Sequence, residues 1–293
     1  MQIEKNIILK GSDDKPIATD IFCLNTKVPK PVVIYAHGFN GFKDWGNFDL
    51  IAAQFASQGF TFIKFNFSHN GTTPETPDDF TDLEAYSDNN YTKELYDLGA
   101  VIDWASSPDN PHAAHMDYNQ VYLLGHSMGG GIALIKASED RRVKALATWA
   151  SIAECNTPWG SWPSEKIKDW IDKEIAHVTN SRTGQEMPLK YQLFDDYQFN
   201  KQRLDIERAI KLLEIPLLIC HGLSDTSVKV EKAYKLRDWK PEAELFLVDS
   251  DHVFGRKHPW AQTTLPEAMQ TVIEETIRFF KKIGYRNDIQ VAK

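Results

Sequence analysis

"YLLGHSMGGGIAL", residues 122–134, passes from an apolar run through a serine between glycines into a second apolar run. The first run has the length and continuous apolarity of a strand buried on both faces, and the second suits a buried helix. Between them, Gly125-His126-Ser127-Met128-Gly129 fits the pattern G-x-S-x-G in the strand–turn–helix setting that makes so short a motif informative. Small flanking residues let the backbone turn sharply, and Gly129, Gly130 and Gly131 let the helix come close to the strand. A serine hydroxyl is a poor nucleophile at neutral pH, so chemistry needs it held clear of the packed core and next to a base. Such a turn presents Ser127 while the helix N-terminus aims amide groups at whatever binds there. A serine that merely caps the helix is the competing reading.

Working outward, further strand-length apolar runs occur at 31–38 (PVVIYAHG), 60–67 (FTFIKFNF), 143–152 (VKALATWASI), 215–222 (IPLLICHG) and 243–249 (AELFLVD). Helical patterns separate them. Phe48, Ile51, Ala52 and Phe55 share a helical face before Gly59, and Tyr91, Leu95, Leu98 and Ile102 share another. A last helix opens near Pro266, with Met269, Val272, Ile273, Thr276 and Phe280 on one side and Gly284 after it. This alternation implies an α/β fold: a doubly wound, mostly parallel sheet flanked by helices. The first 24 residues instead read as an antiparallel hairpin at one edge. Residues 153–204 break the rhythm with tryptophans, charges and prolines, and are read as a small inserted cap within a single 1–293 domain. Six carboxylates and no cation between Glu75 and Asp88 suggest an exposed loop.

Composition excludes several classes of function. With 42% hydrophobic and 25% charged residues, the chain is neither disordered nor fibrous. A net charge of -8 offers no general attraction for nucleic acid or anionic lipid. No run is long and uncharged enough to span a bilayer, and the N-terminus lacks the pattern of a secretory signal. Three widely spaced cysteines, Cys23, Cys155 and Cys220, suit a reducing compartment better than a disulfide framework, so a cytoplasmic location is expected. The His112, His115, Asp117 group lacks the spacing of a metal site, and no phosphate-binding or dinucleotide-binding glycine pattern occurs. Chemistry without metal or cofactor is expected.

The motifs "HGFNGFKDWG" (37–46), "GHSMGG" (125–130), "HGLSD" (221–225) and "DHVFG" (251–255) together resemble those of the α/β-hydrolase superfamily over about residues 30–283. Within it they are most similar to small bacterial serine esterases related to cinnamoyl esterases and dienelactone-hydrolase-like proteins. Dienelactone hydrolases use a cysteine nucleophile where this chain has Ser127, which argues against their particular reaction. The resemblance implies the chain order nucleophile, acid, histidine. Asp225 follows one buried strand and His252 the next, and loops at the carboxyl ends of parallel strands converge on one sheet edge. His252 would then act as base and Asp225 would orient it. Glu154, Asp249 and Asp251 remain rival acids, and His258 a rival base. The resemblance also implies an oxyanion hole made by the backbone N–H groups of Phe39 and Met128.

Aromatic residues crowd the interval read as a cap, and Trp159 and Trp162 are candidate walls of a substrate pocket. Aromatic residues also commonly pack such an insert onto its host. The expectation is a serine hydrolase cleaving a small-molecule carboxylic ester through an acyl-enzyme, without nucleic-acid or membrane partners. Peptidase or thioesterase action with the same residues, and ligand binding without catalysis, are the alternatives.

Overall fold

The computed structural model describes residues 1–26 and 28–291. β1 (Gln2–Lys10) and β2 (Pro16–Cys23) form the edge hairpin expected from the sequence. The alternating part follows with β3 (Lys30–Ala36), α1 (Phe48–Ser57), β4 (Thr61–Phe65), α2 (Leu83–Ser87), α3 (Tyr91–Ala105), β5 (Met116–His126), α4 (Met128–Glu139) and β6 (Val143–Trp149). The interval after β6 carries α5 (Ser164–Lys173), β7 (Ile175–Thr179), β8 (Glu186–Lys190) and α6 (Gln192–Phe199). The chain then returns to the sheet through α7 (Ile206–Leu212), β9 (Leu217–Gly222), α8 (Glu231–Trp239), β10 (Glu244–Val248) and α9 (Glu267–Val291).

The main sheet has the order β1-β2-β4-β3-β5-β6-β9-β10. Its two pairings involving β2 are antiparallel and the others are parallel. Because successive strand residues point to opposite faces, Leu123 of β5 joins a core with Leu98 and Ile102 of α3 and Ile132 of α4. Its neighbours Tyr122 and Leu124 join a second core with Phe55 of α1 and Val272 and Phe280 of α9. Covering both faces explains why the central strands read as unbroken apolar runs, each fully buried large side chain contributing about 1.5–3 kcal/mol.

Three features depart from the sequence reading. The acidic stretch is not only loop: Asp82 accepts from the Ala85 N–H at 2.9 Å, capping α2, whose Tyr86 is buried. α9 continues past Gly284 to Val291, since one glycine costs a long helix only about 1 kcal/mol. Within 153–204, β7 and β8 pair as a separate antiparallel ribbon of two five-residue strands, too short and too polar to stand out as sequence patterns.

Under the edge hairpin lies a buried charge network. The ammonium groups of Lys43 and Lys64 both reach Asp20, at 2.8 and 2.9 Å, and both also pair with Asp44. The side chains of Lys43, Lys64 and Asp20 are at most 1% exposed. Burial works against the Lys64 charge, but the surrounding carboxylates outweigh it and raise its pKa. Removing one member leaves buried charge uncompensated. Lys64→Met is therefore expected to lower the free energy of unfolding by about 3 kcal/mol, read as a drop in the urea midpoint at unchanged slope.

Candidate active site

Ser127 sits between the end of β5 and the start of α4 with φ 55° and ψ -121°. This is the conformation of the first central residue of a type II′ turn, which is costly for any residue but glycine. The surrounding bonds hold it there. Ser127 N–H donates to Trp149 C=O at 2.9 Å, and its own C=O accepts from Gly130 and Ile152 N–H at 3.0 and 3.2 Å. The turn also needs very close backbone approach. A Cβ on Gly129 would fall 2.3 Å from His37 O and 2.4 Å from Ala36 O, and one on Gly125 would fall 2.4 Å from Gly129 O.

The parallel pairing of β9 with β10 continues past the strand ends. Leu223 N–H donates to Val248 C=O at 2.8 Å and Ser224 N–H to Ser250 C=O at 3.0 Å. These bonds zip together the loops carrying Asp225 and His252. Asp225 Oδ2 lies 2.7 Å from His252 Nδ1, and His252 Nε2 lies 3.0 Å from Ser127 Oγ. Oδ1 of Asp225 accepts from the N–H groups of Ser227 and Val228 at 2.9 and 2.8 Å, which fixes the carboxylate plane. Burial opposes ionisation of Asp225, but hydrogen bonds from His221 and His252 and the backbone bond from Val228 hold its carboxyl well below the usual range. The Asp225 side chain is fully buried, whereas His252 keeps 18% exposure on the cleft side. His252 is also held through its backbone, because its C=O accepts from His126 Nε2 at 3.0 Å.

Other candidates from the sequence fall elsewhere. Glu154 pairs with Lys235 at 2.7 Å and Lys232 at 3.4 Å. Asp251 caps its own turn by accepting from Val253 and Gly255 N–H, and Asp249 accepts from Ser224 Oγ at 3.4 Å. His258 accepts from Gly46 N–H at 3.1 Å and packs between Phe42 and Trp45. His37 is buried, donates to Gly38 C=O and accepts from Phe67 N–H, and burial pushes its pKa down to about 4. The loop after β3 lies against the serine, since a Cβ on Gly38 would fall 2.9 Å from Ser127 Cβ. Phe39 is the next residue along that loop, and Met128 opens α4 directly after Ser127.

Trp159 and Trp162, expected as pocket walls, are placed differently. Trp159 is buried within an aromatic cluster of Tyr91, Trp170, Phe194 and Tyr197. Trp162 packs on Trp170, with the Lys166 ammonium 4.3 Å over its ring. Neither lines the open cleft that holds Ser127 and His252. They tie the insert together, which offers a larger gain in buried area than edging a cleft. Sequence reasoning missed Thr157 and Ser181, which line this cleft from the interval after β6. Nothing in their local pattern marks them.

A family model described as alpha/beta hydrolase fold matches residues 31–174. Among curated proteins, the chain is 27% identical over 135 residues to the quorum-quenching protein AidA of Acinetobacter baumannii strain MDR-ZJ06. That match covers 46% of this chain and 40% of the relative. It is 28% identical over 192 residues to a 2-hydroxymuconate semialdehyde hydrolase of Pseudomonas sp. strain CF600, covering 58% of this chain and 62% of that one. The chain thus spans less than two thirds of either relative. Among solved structures, Est1E from Butyrivibrio proteoclasticus with ferulic acid bound superposes with a TM-score of 0.67 at 18% identity, covering 98% of this chain and 100% of Est1E. Among the described residues no helix is long and apolar enough to cross a membrane. Its strand order, its family match and its likeness to these structures agree: this chain has the α/β-hydrolase fold.

Proposed function

We propose that this protein hydrolyses small-molecule carboxylic esters through a covalent acyl-Ser127 intermediate. The observation carrying the proposal is the continuous path from Asp225 Oδ2 through both ring nitrogens of His252 to Ser127 Oγ, with steps of 2.7 and 3.0 Å. In this reading His252 Nε2 takes the hydroxyl proton as Ser127 Oγ attacks the ester carbonyl. The buried, ionised Asp225 holds the Nδ1–H tautomer and stabilises the imidazolium. The new oxyanion accepts from the Phe39 and Met128 N–H groups at the mouth of α4, where preorganised donors contribute several kcal/mol. The proton then passes to the departing alkoxide. Water, deprotonated by the same imidazole, attacks the acyl carbon, and Ser127 Oγ leaves with its proton restored.

The names of the relatives support the hydrolytic part of this reading: one is a hydrolase, and Est1E binds ferulic acid, a carboxylic acid. The interval 153–204 acts as a cap, supplying one wall of the cleft through Thr157 and Ser181. The buried free thiols of Cys23, Cys155 and Cys220 fit a reducing, cytoplasmic setting.

A fluorophosphonate probe, which needs an activated serine, tests the reading. Stoichiometric labelling confined to Ser127, together with turnover of short-chain aryl esters, is the expected result. An unlabelled protein that turns over no ester, yet binds a small ligand tightly, would make it a receptor on the same fold.

A further inference from the structure

His221 is the penultimate residue of β9, fully buried, and does not line the Ser127 cleft. Its Nε2 lies 2.7 Å from Val228 C=O, an atom that can only accept, so the ring carries its hydrogen on Nε2. Nδ1 is buried without a hydrogen-bond partner among the described residues, and a hydrogen placed there would find no acceptor. The same Nε2 stands 3.3 Å from Asp225 Oδ2, the oxygen that faces His252 Nδ1 at 2.7 Å. Two imidazoles therefore meet on one carboxylate oxygen.

Val228 links these contacts. Its C=O takes the His221 hydrogen while its N–H donates to Asp225 Oδ1 at 2.8 Å, beside the Ser227 N–H at 2.9 Å. The Asp225 carboxylate is thus held by two main-chain donors on Oδ1 and two ring donors on Oδ2. Burial opposes its charge, and the His221 N–H is the strongest of the groups that counter burial. Every donor draws on the same negative charge, so a carboxylate with more of them is a weaker base and pulls less on the imidazolium of His252. The other titratable groups around His252 are His126 at the end of β5, whose Nε2 donates to His252 C=O at 3.0 Å, and Asp251 and Arg256 of its own loop. Among the described residues none of these three bonds to Asp225.

We propose that His221 is a positioning residue of the Ser127 site: its Nε2–H ties the Asp225 carboxylate to the Val228 main chain and restrains how strongly Asp225 draws a proton onto His252. The proposal rests on the ester-hydrolase reading for the use made of His252, whereas the contact itself does not depend on it. A base whose imidazolium is too stable returns its proton to the leaving alkoxide less readily.

The test is NMR titration of the His252 ring in wild type, His221→Leu and His221→Gln, beside the pH profile of kcat/KM for a short-chain aryl ester. His221→Leu fills similar space without a donor. It is expected to raise the His252 midpoint by about 0.5 to 1 pH unit, with the acid limb of kcat/KM moving alongside. In His221→Gln the amide nitrogen lies as many bonds from the backbone as Nε2, and the midpoint should stay within about 0.3 pH unit of wild type. A side chain that only packed the strand end would change the melting temperature and leave the midpoint where it was. An unmoved or lowered midpoint in His221→Leu, or an equal rise in His221→Gln, overturns the proposal. If His221→Leu does not fold, His221→Met also removes the donor and carries the same prediction. In wild type alone, the ring ¹⁵N shifts should place the His221 hydrogen on Nε2, and a hydrogen on Nδ1 instead would end the proposal. Should wild type turn over no ester and resist the fluorophosphonate probe, the hydrolase reading fails, and the titration, which needs no turnover, still decides the role of His221.

Discussion

Ser127→Ala is expected to lower kcat for an activated aryl ester by about 10⁴- to 10⁶-fold while the protein keeps its fold. The loss is large because no other hydroxyl is within reach of His252 Nε2 in the described geometry, where Ser127 Oγ stands 3.0 Å away. Asp225→Asn is expected to cost about 10⁴-fold, since an amide at that position can no longer enforce the Nδ1–H tautomer. The two losses should not add, because both disable one proton path. Measuring kcat and KM for the single and double variants checks this. A triple-digit residual turnover in Ser127→Ala, or full activity in Asp225→Asn, would remove the proposed roles. Stability gives a second readout. Ser127 carries a positive φ that alanine shares and glycine does not resent, so Ser127→Gly should unfold about 1 kcal/mol less readily than Ser127→Ala. Asp225 also contributes to acid stability. Its folded pKa is depressed, so its contribution is complete above the ordinary carboxylate value of about 3.9 and is lost only as pH falls below that towards the folded value.

Gly129→Ala is the second large effect. The added Cβ would lie 2.3 and 2.4 Å from the carbonyl oxygens of His37 and Ala36, both main-chain atoms in a central strand end that cannot swing aside. Overpacking against a rigid backbone should cost about 3 kcal/mol, a fall in Tm of roughly 6–12 °C for a chain of this size. Any relief must come from α4 moving off β3, which carries Ser127 and the Met128 N–H away from the Phe39 loop. Turnover should therefore fall together with stability, and probe labelling should slow. A Gly129→Ala protein with wild-type melting and labelling would mean that the helix sits less tightly on the sheet than described.

The fold was legible because its signals are local. Apolar runs of strand length such as 31–38 and 60–67 read as strands covered on both faces, and their alternation with helical patterns gives the layered order. Ser127 was legible for the same reason: five contiguous residues hold both the turn and the glycine that lets the helix approach. Asp225 and His252 were legible only as candidates. The resemblance names them ahead of Glu154, Asp249, Asp251 and His258, but that their side chains meet shows only once the β9–β10 pairing is followed beyond its last strand residues. The aromatic interval misled in one respect, for Trp159 and Trp162 look alike as sequence whether they pack an insert or wall a cleft.

What the chain's sequence determined by itself is the layered α/β arrangement and the serine held at the strand-to-helix turn, because both are requirements on neighbouring residues and on backbone conformation. Tertiary structure alone decided the strand order, the company kept by Asp225 and His252, the burial of Lys64 among three carboxylates, and the contact of His221 with Asp225. The physical reason is that these depend on which distant side chains meet. Sheet register and loop closure settle that, and no local pattern of residues records it.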